Sequence, residues 1–412
     1  MKAENRGSDL PEGMFAAVPR KVKLLIYLAI PALIGFGYFF IAISAHLPEL
    51  GISASYVGLI LATFSVATIV ASIPLGIVAD RRGRKGIILF AFLGIPFVFA
   101  VYGLTTNVTV ILIVSVLAGL TEAAFLTAWN ALIADMTTVQ TRNAAFALSF
   151  IVNSAATGIG FFVPFVFPFI EDSSGWSSKA VHSGAFLIFG VIAAISPVLY
   201  WKLFKGYKES PKETPREKQK FFVRGESTSL VLRFSAINSL IGLGAGFIIP
   251  LVPTWLFLEF NAPDSVTGPL VGLSGILMAV SAVASVKMAK RYGDVPTIVL
   301  TEGSSTVFMF ALAFSPNALT AASLYLVRTA LMNMASPVSD SYLMGIISEK
   351  ERGFASAING IVWRLPNSVS TVVGGVLLAK GMFALPFFLA AGMYSVAIAL
   401  FYAYFKDIKQ KK

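Results

Sequence analysis

The chain has 412 residues, 56% of them hydrophobic and only 13% charged, with a mean hydropathy of +0.79. A soluble domain carries about 25% charged residues, so a water-soluble globular protein is excluded and an all-α polytopic membrane protein remains. Cysteine is absent, which removes disulfides, thiolate-bound zinc and thiol nucleophiles; two histidines leave little for a metal site; and the net charge of +11 reads as basic loops held on one side of a membrane rather than a nucleic-acid surface.

A membrane-crossing helix needs about 20 mainly apolar residues. Twelve segments meet that length, over 24–45, 56–79, 87–105, 108–134, 144–170, 183–204, 229–258, 268–289, 295–314, 319–347, 354–379 and 383–405. The first is too long for a secretory signal and lacks a small-residue cleavage site, so it is expected as a retained span. Residues 1–23 form an N-terminal tail and 406–412 a C-terminal tail. The stretch 205–228, KGYKESPKETPREKQKFFVRGEST, is rich in Lys, Glu and Pro and reads as a flexible linker. It leaves six spans on each side, a bundle over 24–204 and a second over 229–405.

Of the 32 Lys and Arg residues, 27 fall in the tails and alternate loops on the side of the termini, and two, Lys179 and Lys380, fall on the opposite side. Basic residues are retained on the cytoplasmic side. Both termini are therefore expected in the cytoplasm and the chain in the cell membrane.

The halves align at a constant offset of 210 residues. Arg81 falls on Arg291, Gly83 on Gly293, Arg142 on Arg352, Glu49 on Glu259 and Gly58 on Gly268. This is the pattern of parallel repeats related by an axis along the membrane normal, for which a solute site lies near the midplane between the repeats.

The loop after the second span is GIVADRRGRK, residues 76–85. Basic character alone follows from the charge asymmetry; Asp80 and the glycine spacing do not. Gly76 lets another backbone approach, Asp80 is an acceptor suited to the positive end of a neighbouring helix, Gly83 permits a tight turn, and Arg84 is a fork donor for a carboxylate. Gly76-x-x-x-Asp80-Arg81-x-Gly83-Arg84-Lys85 resembles the signature loop of the major facilitator superfamily (MFS). LPELGISASYVGLI, ADMTTVQTRNAAFAL and SEKERGFASAING resemble other segments of that superfamily, so the likeness covers nearly the whole chain. It implies twelve helices in two pseudo-symmetric six-helix bundles. It also implies a cytoplasmic gate in which Asp80 meets the start of the eleventh helix and Arg84 meets Asp135 at the end of the fourth. The second copy carries Lys290 at the Asp80 position, so the gate is expected to be asymmetric.

A charge at the bilayer centre costs about 2.5–3.5 kcal/mol or more, which makes each one a candidate site. Glu122 lies near the middle of the fourth span, Arg328 and Asp340 on the tenth, Arg364 on the eleventh and Glu302 on the ninth. The resemblance implies that helices 1, 4, 7 and 10 line the cavity, which ranks Glu302 as structural. Glu122 and Asp340 are the candidates for proton coupling, Asp340 being equally placed for a structural ion pair with Arg364. Tyr38, Trp129, Asn130, Asn238, Arg328, Asn333 and Arg364 are candidate solute contacts. The helix-4 arginine expected of proton-coupled drug exporters is missing, with Ser115 four residues before Gly119. The helix-5 signature is reduced to Gly158, Gly160 and Pro164. No HExxH, DDxxD or Ser/His/Asp constellation supports an intramembrane enzyme.

The expectation is thus a monomeric secondary transporter for a small amphipathic organic solute, needing no cofactor beyond a proton gradient, with export favoured. Uptake or uncoupled passage of an organic anion or sugar is the alternative. A non-transporting receptor or scaffold on the same fold is the alternative from another class.

Overall fold

A computed structural model describes residues 15–207, 227–348 and 351–408. Most of the 205–228 linker and the outer parts of both tails lie outside the described residues. The elements are α1 (Arg20–Glu49), α2 (Ala54–Arg82), α3 (Lys85–Leu104), α4 (Val108–Asp135), α5 (Gln140–Ser174), α6 (Ser178–Leu203), α7 (Thr228–Phe260), α8 (Asp264–Tyr292), α9 (Asp294–Leu312), α10 in two pieces (Ala318–Met334 and Ser336–Ile346), α11 (Arg352–Ala379) and α12 (Leu385–Phe405). Eleven are long and apolar enough to cross a membrane unaided. The twelfth crossing, α10, is divided at Ala335, where Pro337 sits in the first turn of the second piece and has no N–H to give.

The first N–H groups of a helix have no partners within it. At the end of the bundle away from the termini, the far end, side chains supply them. Asn107 accepts from the N–H of Thr109 and Val110, Ser177 from Ala180, and Asn317 from Thr320. Leu104, Phe150, Val191 and Leu319 are each at least 70% exposed, as side chains facing lipid would be.

Two seams join the halves. α2 packs on α11, and α8 packs on α5. An added Cβ at Gly58 would stand 2.6 Å from the Thr371 carbonyl oxygen, and one at Gly268 would stand 2.4 Å from that of Phe161. Gly58 and Gly268 are counterparts at the 210-residue offset, and so are Phe161 and Thr371. The two seams are one contact made twice. Gly83 (φ 92°) and Gly293 (φ 89°) likewise share one left-handed conformation.

The seams close at the far end only. One apolar core there draws on both halves, including Tyr38, Leu61, Trp255 and Phe387. Towards the termini each half has its own core, one built around Phe92, Trp129 and Tyr200, the other around Phe234, Tyr342 and Phe405. Among the described residues no core cluster joins the halves there. A Cβ at Gly76 would meet nothing within 4 Å, and Asp80 is exposed. The expected close approach at Gly76 is therefore not made in this structure.

Candidate functional site

Glu122 opens into a pocket of about 230 Å³ within the first half, lined by Phe36, Phe40, Phe92, Phe125, Asn153 and Phe161 among others. It is the one acid in a mainly aromatic and aliphatic lining that also holds Asn153 and Thr157. Arg364, exposed on α11 of the other half, acts on it electrostatically across the gap.

The second half holds a more polar cavity of about 360 Å³. Glu302, Arg328 and Asp340 line it together with Asn238, Asn333, Asn359, Asn367, Trp363 and Tyr394. Arg328 is 3% exposed and donates from one terminal nitrogen to the Tyr394 hydroxyl at 2.7 Å, while its Nε is buried without a hydrogen-bond partner. Asn238 donates to Asn359 at 2.8 Å. Between these lies a third space of about 390 Å³ at the seam, walled by Phe40, Phe64, Phe161, Pro250 and Tyr325. It shares Phe40 and Phe161 with the Glu122 pocket, and Ile249, Pro250 and Asn367 with the polar cavity. The three form one chain of spaces from an acid in the first half, through an aromatic waist, to amides and charges in the second.

The floor of that chain is the closed far end. A π-helical turn at Ala42–His46 breaks the regular ladder of α1 there, as such turns often do at functional positions. Ser44 then offers its carbonyl to the hydroxyl of Thr254 across the seam, and Ser65 meets Ser368 at 2.8 Å. Beside them Glu49 accepts from the Asp264 backbone N–H at 3.0 Å and lies 3.2 Å from His46 Nδ1.

At the end bearing the termini, Arg84 is 7% exposed and grips the end of α4, donating to Asp135 and to the Ala131 carbonyl at 2.7 Å. Asp80 lies 3.6 Å from Arg84, in its own half, and Arg81 is exposed. The Arg84–Asp135 contact is present, as the resemblance implies. The Asp80 contact with α11 is not among the described contacts; no core cluster among the described residues joins the halves at this end.

Twelve crossings in two repeated halves, with a basic signature loop and a cavity between the halves, define a transporter fold, and comparison with known proteins decides which. The sequence profile of the Major Facilitator Superfamily matches residues 25–327 and, in a second match, 234–412. The chain belongs to the major facilitator superfamily. This MFS protein is similar to Multidrug resistance protein 1 of Bacillus subtilis (strain 168), at 24% identity over 389 residues, 90% of this chain and 92% of the relative. It is similar to the quinolone resistance protein NorA of Staphylococcus aureus (strain COL) at 23% over 387 residues, 89% and 92% of the two chains. A higher identity, 34%, to an uncharacterised MFS-type transporter of B. subtilis, YqjV, covers only 35% of each chain. Its fold matches a bacterial homologue of the human lysosomal transporter Spinster in an inward-facing, unoccupied conformation (TM-score 0.74, 14% identity, 95% of this chain and 98% of that one). It also matches a D-xylose–proton symporter (TM-score 0.72, 16% identity, 95% and 100%). The MFS is a superfamily of multi-pass membrane transporters of small molecules, not of enzymes.

Several candidate residues stand elsewhere than expected in this MFS chain. Tyr38 is fully buried and points away from the cavity, its hydroxyl 2.8 Å from His182 Nδ1. Trp129 is 5% exposed and donates from its indole nitrogen to Ser149 at 2.8 Å, inside the first-half core. Asn130, its exposed neighbour, lines none of the three spaces. Glu122 and Trp129 share a helix face to within about 20°, yet the Trp129 indole is satisfied by Ser149 inside the first-half core rather than in the cavity. Asp340 and Arg364 form no ion pair among the described residues, since α11 packs chiefly on α7 and α2 rather than α10. Glu302, ranked as structural, lines the polar cavity beside Arg328, because α9 turns that face towards α10. Asn359 and Asn367 were missed; their position one or two turns from Trp363 on a helix holding Arg364 was the available signal. The two histidines, thought too few to matter, are adjacent.

Proposed function

We propose that this transporter carries an amphipathic organic molecule across the cell membrane by alternating access, outward from the cytoplasm and in exchange for protons, with both chain termini in the cytoplasm. The observation that carries this reading is the row of three adjoining spaces with shared lining residues. One wall presents a carboxylate, Glu122, among aromatic rings, which suits a lipophilic solute bearing positive charge. The multidrug and quinolone-resistance relatives and the 27-to-2 division of basic residues support export and orientation. In this reading the conformation described is open to the cytoplasm and sealed outside. Residues 76–84 with Asp135 are the inner gate, open here. Glu122 loads and unloads the coupling proton, and Asp340 and Glu302 are the carboxylates that could do so in the second half.

The test is flux in proteoliposomes. With a pH gradient imposed, the protein should drive a fluorescent lipophilic cation against its own gradient. Glu122→Gln should keep exchange of substrate for substrate and lose the pH-driven accumulation. Accumulation by Glu122→Gln at the wild-type rate would remove Glu122 from coupling.

A second reading, passage of an organic anion or sugar without export, is favoured by one observation. Arg328 and the amides of Asn238, Asn333, Asn359 and Asn367 face the same cavity. Uptake of such a solute with no pH gradient would establish it instead.

A further inference from the structure

The far end holds a cluster that transport as proposed does not use. His46 is 3% exposed, His182 2% and Asp264 4%. His46 stands 3.2 Å from Glu49. His182 Nε2 stands 3.1 Å from Asp264 Oδ2, yet neither atom has a hydrogen-bond partner, because the ring nitrogen is not aimed along the contact. Ligand atoms of His46, Glu49 and His182 lie within 4.8 Å of one another. The imidazole rings lie face to face with centroids 3.4 Å apart, an arrangement that aromatic pairs avoid in favour of offset or edge-on contact. A void of about 20 Å³ touches both rings, and a single water-sized sphere needs roughly 10–15 Å³.

We propose that His46, Glu49 and His182 bind one divalent transition-metal ion, with Asp264 of the opposite half as a fourth ligand. Two imidazoles and two carboxylates form a donor set that zinc accepts. Two ligand atoms about 2.0–2.1 Å from one tetrahedral zinc stand about 3.4 Å apart. The close but misaligned His182 Nε2 and Asp264 Oδ2 stand at a separation that two ligands of one ion would have. Tyr38 contacts the other nitrogen of His182 at 2.8 Å, the kind of outer partner that fixes the ring of a ligating histidine. The lone pairs of parallel rings do not converge, so binding must open the ring stack. Lys179 also lines the void but is exposed, and can turn to water.

Three ligands come from the first half and one from the second. The complete set exists only while the far end is closed, so the ion would hold it shut and zinc should inhibit transport. Binding need not be read through transport. Purified, tag-free full-length protein is titrated with cobalt(II), whose visible absorption reports a low-coordinate nitrogen and oxygen environment, and then with zinc. One equivalent of cobalt should give that spectrum and one of zinc should abolish it. His46→Gln and His182→Gln should each weaken zinc binding about 10-fold or more, and Asp264→Asn should weaken it less. Asp407→Asn, an exposed carboxylate at the end bearing the termini, should leave it unaltered. A featureless cobalt titration of the wild-type protein, which requires no variant to fold, would overturn the proposal. So would zinc affinity unchanged in soluble, monodisperse His46→Gln and His182→Gln.

Discussion

Thr254 donates its hydroxyl to the backbone carbonyl of Ser44, and the two residues are 210 positions apart, which makes each the repeat counterpart of the other. Equivalent residues of two repeats can touch only where the axis relating them passes between. This bond therefore marks the pseudo-twofold axis at the closed end, and the paired glycine contacts of α2 with α11 and of α8 with α5 flank it.

Symmetry makes the two seams comparable by mutation. Gly58→Val and Gly268→Val each push a side chain into a backbone carbonyl that cannot retreat, at a cost of about 1–3 kcal/mol to the closed far end. Both variants should shift the equilibrium towards far-end opening. The chain has no cysteine, so a cysteine placed at Ser44 can report. Its labelling by an impermeant maleimide from outside intact cells should rise several-fold in both. If only one variant responds, the seams are not equivalent.

Arg84 and Asp80 should separate stability from transport. Arg84 is buried against the end of α4, so Arg84→Gln removes its charged contact with Asp135 and its hydrogen bond to the Ala131 carbonyl, and thermal stability should fall by about 1–3 kcal/mol. The Asp80 side chain is 54% exposed in this conformation, and exposed pairs are worth about 0–1 kcal/mol. Asp80→Asn should leave the melting temperature nearly unchanged yet slow transport, since its expected partner is met only when the inner end closes. Normal flux in Asp80→Asn would reduce the loop to a topological signal.

In the second-half cavity, Tyr394→Phe removes the acceptor from a buried guanidinium and should destabilise by about 1–3 kcal/mol. Glu302 and Arg328 face the same space. No ion pair between them is among the described contacts, so thermal melts should find the losses of Glu302→Gln and Arg328→Met additive; a double variant less damaging than Arg328→Met alone would show that the two charges sense each other.

Glu351, 1% exposed before α11, joins that helix to the start of α7. Burial works against its charge, but donors outweigh it: Ser348 at 2.6 Å, Thr228 at 2.9 Å and the Ser227 N–H at 3.1 Å. Together they hold the carboxyl below its ordinary range. A depressed carboxylate stabilises the fold above its unfolded value, about 4.3, and that stability is lost as pH falls through the lower folded value. Acid melts of wild-type and Glu351→Gln protein should differ at neutrality and converge only as pH falls through that lower folded value. An equal difference at both would assign Glu351 a role independent of its charge.

Much of this was legible in the sequence. Span length, the one-sided basic loops, the 210-residue offset and the signature loop each depend on residues near in sequence or on composition, and they yielded the twelve crossings, the repeat, the superfamily and the Arg84–Asp135 contact. Glu122 and Arg328 were legible for the same reason: an ionised group in an apolar run stands out wherever the helix turns. What sequence could not supply was which face of each helix meets which neighbour. Trp129 and Tyr38 read as cavity residues by type and are satisfied inside the first half; Glu302 read as structural and lines the same cavity as Arg328. His46 and His182, 136 positions apart, come into contact only because a π-helical turn in α1 and the packing of α6 bring their rings together. In lipid every backbone group is satisfied within its own helix, so the chain alone fixes the helices. Their rotation and their partners are set by side-chain packing across seams that no single segment contains.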